Sequence, residues 1–253
     1  MSQLTRGYGL TLAGFGLWGV FPLFFKQLDH IPAGEIIAHR IVWTLVVAGL
    51  AALIFGKFWS AFRVLADRRG LPIIVGSTIL IAMNWTVFVY AVVSNQALDA
   101  SLGYFINPLV SVALGFVVLK ERMTRLQSAA VLLATLAIVQ HLITIGELPW
   151  IALVLGLSFG LYGLLRKVAT VESLEGLVVE SALLTPLALG ALVFWAQAGP
   201  GLSIAPYPPS ADLLQLVALG TVTALPLLCF AAGARAIPLA HVGPCQFITP
   251  SLQ

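Results

Sequence analysis

Glu35, His39 and Arg40 open an apolar run of the chain. Glu35 and His39 stand four residues apart and share one face of a helix, with Trp43 a turn further on and Arg40 on the neighbouring face. A carboxylate, an imidazole and a guanidinium so placed could hold an ion or pass a proton. They also have an interfacial reading, because Arg40 is only about 7.5 Å of helix beyond Glu35 and could carry its charge to the membrane surface on its apolar stem. Glu180, near the start of a later apolar run, has the same two readings. Asn84 and Asn107 fall near the middle of their runs, too deep to reach water. Trp85, Tyr90, Ser101 and Tyr104 lie on those same two runs and could give a small organic ligand aromatic faces and hydroxyls. The alternative for the two asparagines is hydrogen bonding between helices, worth about 1 kcal/mol each.

Other chemistry is argued against by context. Cys229 and Cys245 have no histidine or carboxylate at metal-ligand spacing, so neither a metal nor a redox centre is expected. Gly14, Gly16 and Gly19 satisfy a dinucleotide-binding spacing, but no strand precedes them and no acidic ribose partner follows, so no cofactor is expected. Gly156-Leu157-Ser158-Phe159-Gly160 satisfies the pattern of a nucleophile elbow, yet it lies within an apolar run with no strand-turn-helix around it. Close helix packing at small residues is the better reading of these glycines.

The elements that must position the polar residues follow from composition. Charged residues are 9% of the 253 and apolar ones 60%, and mean hydropathy is +1.01. A soluble domain carries about 25% charge. A hydrocarbon core of about 30 Å needs roughly 20 helical residues, which places spans near 7–26, 34–55, 71–94, 98–119, 126–145, 149–165, 174–197 and 211–233, with a ninth starting near Ile237 and stopping at Gln253. The expected fold is an all-α polytopic membrane protein whose immediate partner is the lipid bilayer.

Lysine and arginine bias a short loop towards the cytoplasm. Eleven of the 13 basic residues fall on one side of this arrangement, Lys26 falls on the other, and Arg40 lies within a span. The N-terminus is therefore expected inside, and the spread of the charge fits topology rather than nucleic-acid binding. Residues 57–69 intersperse aromatics with charge and read as a short helix on the inner surface. The glycine- and proline-rich stretch 199–209 reads as an outer loop.

The two halves of the chain match in register. Trp18-Gly19 faces Phe159-Gly160 and Lys26 faces Lys167 at a lag of 141, Tyr90-Ala91 faces Phe230-Ala231 and Gly103 faces Gly243 at 140, and Phe105-Ile106-Asn107-Pro108 faces Phe247-Ile248-Thr249-Pro250 at 142. A unit with an odd number of helices enters its second copy from the opposite side, giving an inverted repeat. The expected units are 1–145 and 146–253, each of five helices, with the second truncated so that about nine of ten helices are present. Pro108 and Pro250 each remove a backbone hydrogen bond beside a polar residue.

Ala100-Ser101-Leu102-Gly103-Tyr104-Phe105-Ile106-Asn107-Pro108-Leu109, Glu35-Ile36-Ile37-Ala38-His39-Arg40 and Ser158-Phe159-Gly160-Leu161-Tyr162-Gly163-Leu164-Leu165-Arg166-Lys167 resemble the RarD proteins of the EamA-like drug/metabolite transporter superfamily. The resemblance runs along essentially the whole chain and implies ten helices in two inverted five-helix repeats. It carries over no substrate site. The expected function is secondary transport of a small organic solute across the bacterial inner membrane by alternating access, with His39 and Glu180 as candidates for proton coupling. The competing reading is a membrane-embedded solute-binding or regulatory protein that moves nothing. An intramembrane hydrolase would need a nucleophile with a base in reach, and neither Ser158 nor the histidines supply that pattern.

Overall fold

A backbone in lipid must satisfy its own hydrogen bonds, so the apolar runs fold as helices. The computed structural model describes residues 3–122, 125–145, 149–199, 202 and 211–252. Its elements are α1 (Gln3–Gly19), α2 (Phe21–Phe25), α3 (Ala33–Ile54), α4 (Phe58–Ala61), α5 (Gly70–Val93), α6 (Ala97–Val117), α7 (Arg125–Ile145), α8 (Trp150–Val168), α9 (Ser173–Gln197), α10 (Ala211–Ala236), α11 (Leu239–Cys245) and α12 (Ile248–Leu252). No strand occurs among the described residues. Seven helical spans among them are long and apolar enough to cross a membrane, and the chain is an all-α polytopic membrane protein.

Two expected spans are broken. The first bends at Val20, where Pro22 starts α2 because its missing N–H is an orphan at a helix start in any case. The ninth segment is divided into α11 and α12, with Pro244 inside α11 and Pro250 inside α12. By contrast α6 continues through Pro108. Residues 57–69 form α4 and a 3-10 turn, Phe62–Ala66, with Trp59 exposed. Most of the expected outer loop at 199–209 lies outside the described residues.

Glycines set the closest helix approaches. A Cβ on Gly160 would lie 2.4 Å from Val110 Cγ1 and one on Gly156 would lie 2.7 Å from Ile106 Cγ2, so the serine-elbow look-alike is the seam between α8 and α6. On α1, a Cβ on Gly14 would meet the Pro226 carbonyl of α10 at 3.0 Å. The principal pairings are α1 with α10 and α12, α5 with α8, α3 with α9 and α10, and α6 with α8 and α11. At the centre, Phe15, Trp18, Phe159, Tyr162 and Phe230 form a buried aromatic cluster. Leu50, Ile54, Val117, Leu187 and Phe194 point outward. In water such a surface would aggregate, whereas in a bilayer its solvent is lipid.

Candidate solute cavity

Helices α3, α5 and α6 each bring part of a polar group to the middle of the bundle. Arg40 is seven residues along α3, about 10 Å at 1.5 Å per residue, and Asn107 is ten along α6, about 15 Å. Against a hydrocarbon thickness of about 30 Å, these are interior depths. They line a narrow cavity of about 30 Å³. Asn84, Trp85 and Phe88 of α5 and Tyr104 of α6 line it from the first half, together with Phe15, Trp18 and Phe21. Phe159 of α8, Gln246 at the α11–α12 break and Thr249 of α12 line it from the second.

Arg40 is 3% exposed. Its Nε donates to Thr223 Oγ1 at 2.9 Å, and its Cζ stands 4.5 Å from the centre of the Trp85 ring, with Phe25 and Phe21 at 5.7 and 5.9 Å. Such cation–π contacts are worth about 2 kcal/mol when desolvated. Its Nη1 is buried without a hydrogen-bond partner. Asn84 donates to the Leu155 carbonyl at 3.2 Å and Ser158 Oγ at 3.0 Å, so it both lines the cavity and bonds α5 to α8. Asn107 Oδ1 and Gln246 Oε1 are buried acceptors with no partner. The Gln246 amide nitrogen donates to Ser111 at 2.9 Å, and Thr249 donates to the Phe15 carbonyl at 2.9 Å.

Of the candidates read from sequence, Arg40, Asn84, Trp85, Tyr104 and Asn107 meet in this cavity. Glu35, His39, Tyr90, Ser101 and Glu180 are not part of its lining. Glu35 is buried, and the His39 Nε2 and Trp43 Nε1 atoms are buried with no hydrogen-bond partner. Tyr90 is 45% exposed and faces Trp150 with ring centres 6.0 Å apart. Ser101 is half-buried. The sequence reading missed Gln246 and Thr249, although the repeat register that sets Thr249 against Asn107 was a signal for the latter. It also missed Thr223, an ordinary threonine in an apolar run, for which no signal existed.

Glu180 belongs to a second polar group, nearer the basic end. Its carboxylate lies 3.6 Å from Arg166 Nη1 and accepts from Ser77 at 2.6 Å and Tyr162 at 3.3 Å. Arg166 also donates to the carbonyls of Glu172 and Ser173, both at 3.2 Å. Further out, Glu121 accepts from the first backbone N–H groups of α11, Leu239 at 2.9 Å and Ala240 at 2.8 Å, and pairs with Lys167 at 3.7 Å. Carboxylates are favoured at such helix starts. Arg235 donates to the Ala169 and Val171 carbonyls, and Ser60 to Glu175. Glu172 and Glu175 form a capping box on α9. The Lys57–Glu172 hydrogen bond holds the lysine above and the carboxylate below their usual ranges, though at so exposed a site salt screens it. Among the described residues, the opposite end carries links from Gln215 to Gln27 at 2.8 Å and from His30 to Asp212 at 3.3 Å, all partly exposed.

A polytopic bundle with a polar cavity at its centre is the architecture of a membrane transporter, and the comparisons agree. Residues 5–142 match the EamA-like transporter family. An uncharacterized transporter of Pseudomonas aeruginosa is 46% identical over 99% of this chain and 84% of its own length. The RarD protein of Escherichia coli is 39% identical, again over 99% of this chain and 84% of its own. A solved crystal structure superposes with a TM-score of 0.75 at 16% identity, covering 97% of this chain and 85% of that one, which shows a shared fold. The chain belongs to the EamA-like transporter family, among its RarD proteins.

Proposed function

We propose that the protein is a secondary transporter that carries a small organic solute across the bacterial inner membrane by alternating access, with its N-terminus and basic loops in the cytoplasm. The carrying observation is the cavity itself: it lies at mid-depth, both halves of the chain line it, and it holds buried polar atoms with nothing to bond. An unsatisfied polar group in an apolar interior costs about 1–3 kcal/mol, a cost that a bound solute would offset.

The mechanism is a rocking of two inverted units, 1–145 and 146–253. Its support is the exchange of partners: α1 packs on α10 as α8 packs on α5, while α3 pairs with α9. Trp18 and Phe159, equivalent in the repeat, meet with ring centres 5.2 Å apart, as residues beside a two-fold axis would. Among the described residues, links of Glu121, Lys57 and Ser60 to the second half tie the two halves at the basic end and fit a state closed towards the cytoplasm. His39 and Glu180, repeat equivalents on α3 and α9, are the candidates for proton coupling.

Flux into proteoliposomes, with and without an imposed proton gradient, tests this reading. Solute should accumulate, and His39→Gln or Glu180→Gln should weaken its dependence on the gradient. Saturable binding without movement would instead make the protein a membrane-embedded solute binder. Gradient dependence intact in both variants would remove these two residues from the coupling.

A further inference from the structure

Arg40 carries a charge for which the described residues supply no counter-charge. Among the described residues no carboxylate lies within 4 Å of it; Nε donates to Thr223, and Nη1 is buried with no hydrogen-bond partner. The contrast with Arg166 is instructive, because that equally buried guanidinium has Glu180 and two carbonyls around it. A desolvated cation without an anion is costly to the fold, and aromatic faces offset only part of that cost. Yet Arg40 lines the central cavity, with its Nη1 unspent.

The rest of the lining narrows what could complete it. Among the described residues no second lysine, arginine or histidine and no acid lines the cavity, so one negative charge neutralises it. A phosphate dianion would bring one charge too many. Aromatic rings make up most of the remaining lining, with Asn84, Gln246 and Thr249 as neutral polar groups, and Asn107 Oδ1 and Gln246 Oε1 are acceptors awaiting a donor.

We infer that the cavity takes a small organic monoanion, whose carboxylate pairs with the terminal nitrogens of Arg40 and whose apolar body lies against Trp85, Phe88, Trp18 and Phe159. A hydroxyl or N–H on the same solute reaches Asn107 Oδ1. Guanidinium and carboxylate match as a planar bidentate pair, and in a dry site that pair is strong because water does not compete for it. The inference rests on the cavity being the solute site, and it names the class of solute.

The test uses the protein in nanodiscs, with Trp18 and Trp85 as fluorescent reporters in the cavity wall. The probes are acetate, lactate, benzoate, 3-phenylpropionate and indole-3-acetate, each paired with its primary amide, which keeps the body and removes the charge. At least one acid is expected to bind tenfold or more tightly than its amide. Arg40→Met should abolish that preference while leaving the thermal midpoint unchanged or higher, because it removes an uncompensated charge; a purely structural arginine would lower it. Arg40→Lys should retain a weakened preference. The inference is overturned if no acid binds better than its amide, or if Arg40→Met still discriminates. Transport is judged separately: flux of neutral amides that ignores Arg40→Met sinks the anion and keeps the transporter, whereas acids that bind without crossing do the reverse.

Discussion

Removing the carboxylate of Glu180 should destabilise the bundle more than its small volume suggests. Arg166 and Glu180 are 1% and 2% exposed, with 3.6 Å between Nη1 and Oε1. Glu180→Leu would strand the Arg166 charge and deprive the Tyr162 hydroxyl of its acceptor, while Ser77 keeps the Ile74 carbonyl. Removing one member of a buried pair costs about 3–5 kcal/mol. The hydrogen bonds to the same carboxylate cannot be added to that figure, because they belong to one coupled network. At about 2–4 °C per kcal/mol for a chain of this size, the thermal midpoint in detergent should fall by about 6–20 °C. Arg166→Met should cost at least as much, since it also leaves the Glu172 and Ser173 carbonyls without their donor. The double variant removes both charges together and should lose less than the two single losses combined, by about 2 kcal/mol or more. The assay is intrinsic fluorescence on heating, at one scan rate, for the four proteins of the cycle. Losses that simply add would mean the two side chains are not coupled and that 3.6 Å is proximity without an ion pair.

Gly160→Leu should wedge α8 from α6, because even a Cβ there meets Val110 at 2.4 Å; the check is the yield of folded protein, with Gly16→Leu, whose Cβ meets nothing within 4 Å, unaffected. Asn84→Leu should lower the thermal midpoint by the equivalent of about 1 kcal/mol through loss of its bonds to Leu155 and Ser158. Asn107→Leu, whose Oδ1 has no partner, should leave stability nearly unchanged and impair solute binding; equal stability losses in both variants would refute the distinction. Cysteines introduced at Ala66 and Ala205 should be labelled from outside intact cells only at Ala205, and labelling at Ala66 would reverse the proposed orientation.

Element types and approximate limits were legible in the sequence because lipid allows so few alternatives. An apolar run of about 20 residues must be helical to satisfy its backbone, so α3, α5, α6, α8, α9 and α10 fall within a few residues of their expected limits. The packing role of Gly156 and Gly160 was legible for a related reason: in an apolar run without a strand, small residues serve helix contact. The divided ninth segment was less so, because a proline weakens a helix without dictating where it parts. Pro108 sits inside a continuous α6, whereas α11 and α12 separate near Gln246.

Which polar residues meet was settled by the tertiary structure alone. Sequence spacing places side chains around a helix's own axis, as it does for Glu35 and Arg40 on α3. It says nothing of how each helix is rotated against its neighbours. That rotation is set by glycine seams and aromatic packing between distant segments. It turns Arg40 towards Trp85 and Thr223, sends Tyr90 out to Trp150, and joins Glu180 to Arg166. Composition therefore determined that the chain lives in a membrane and where it crosses. The long-range packing decided that one buried guanidinium is neutralised within the protein while the other faces a cavity, because a charge in a dry interior is defined by its neighbours in space.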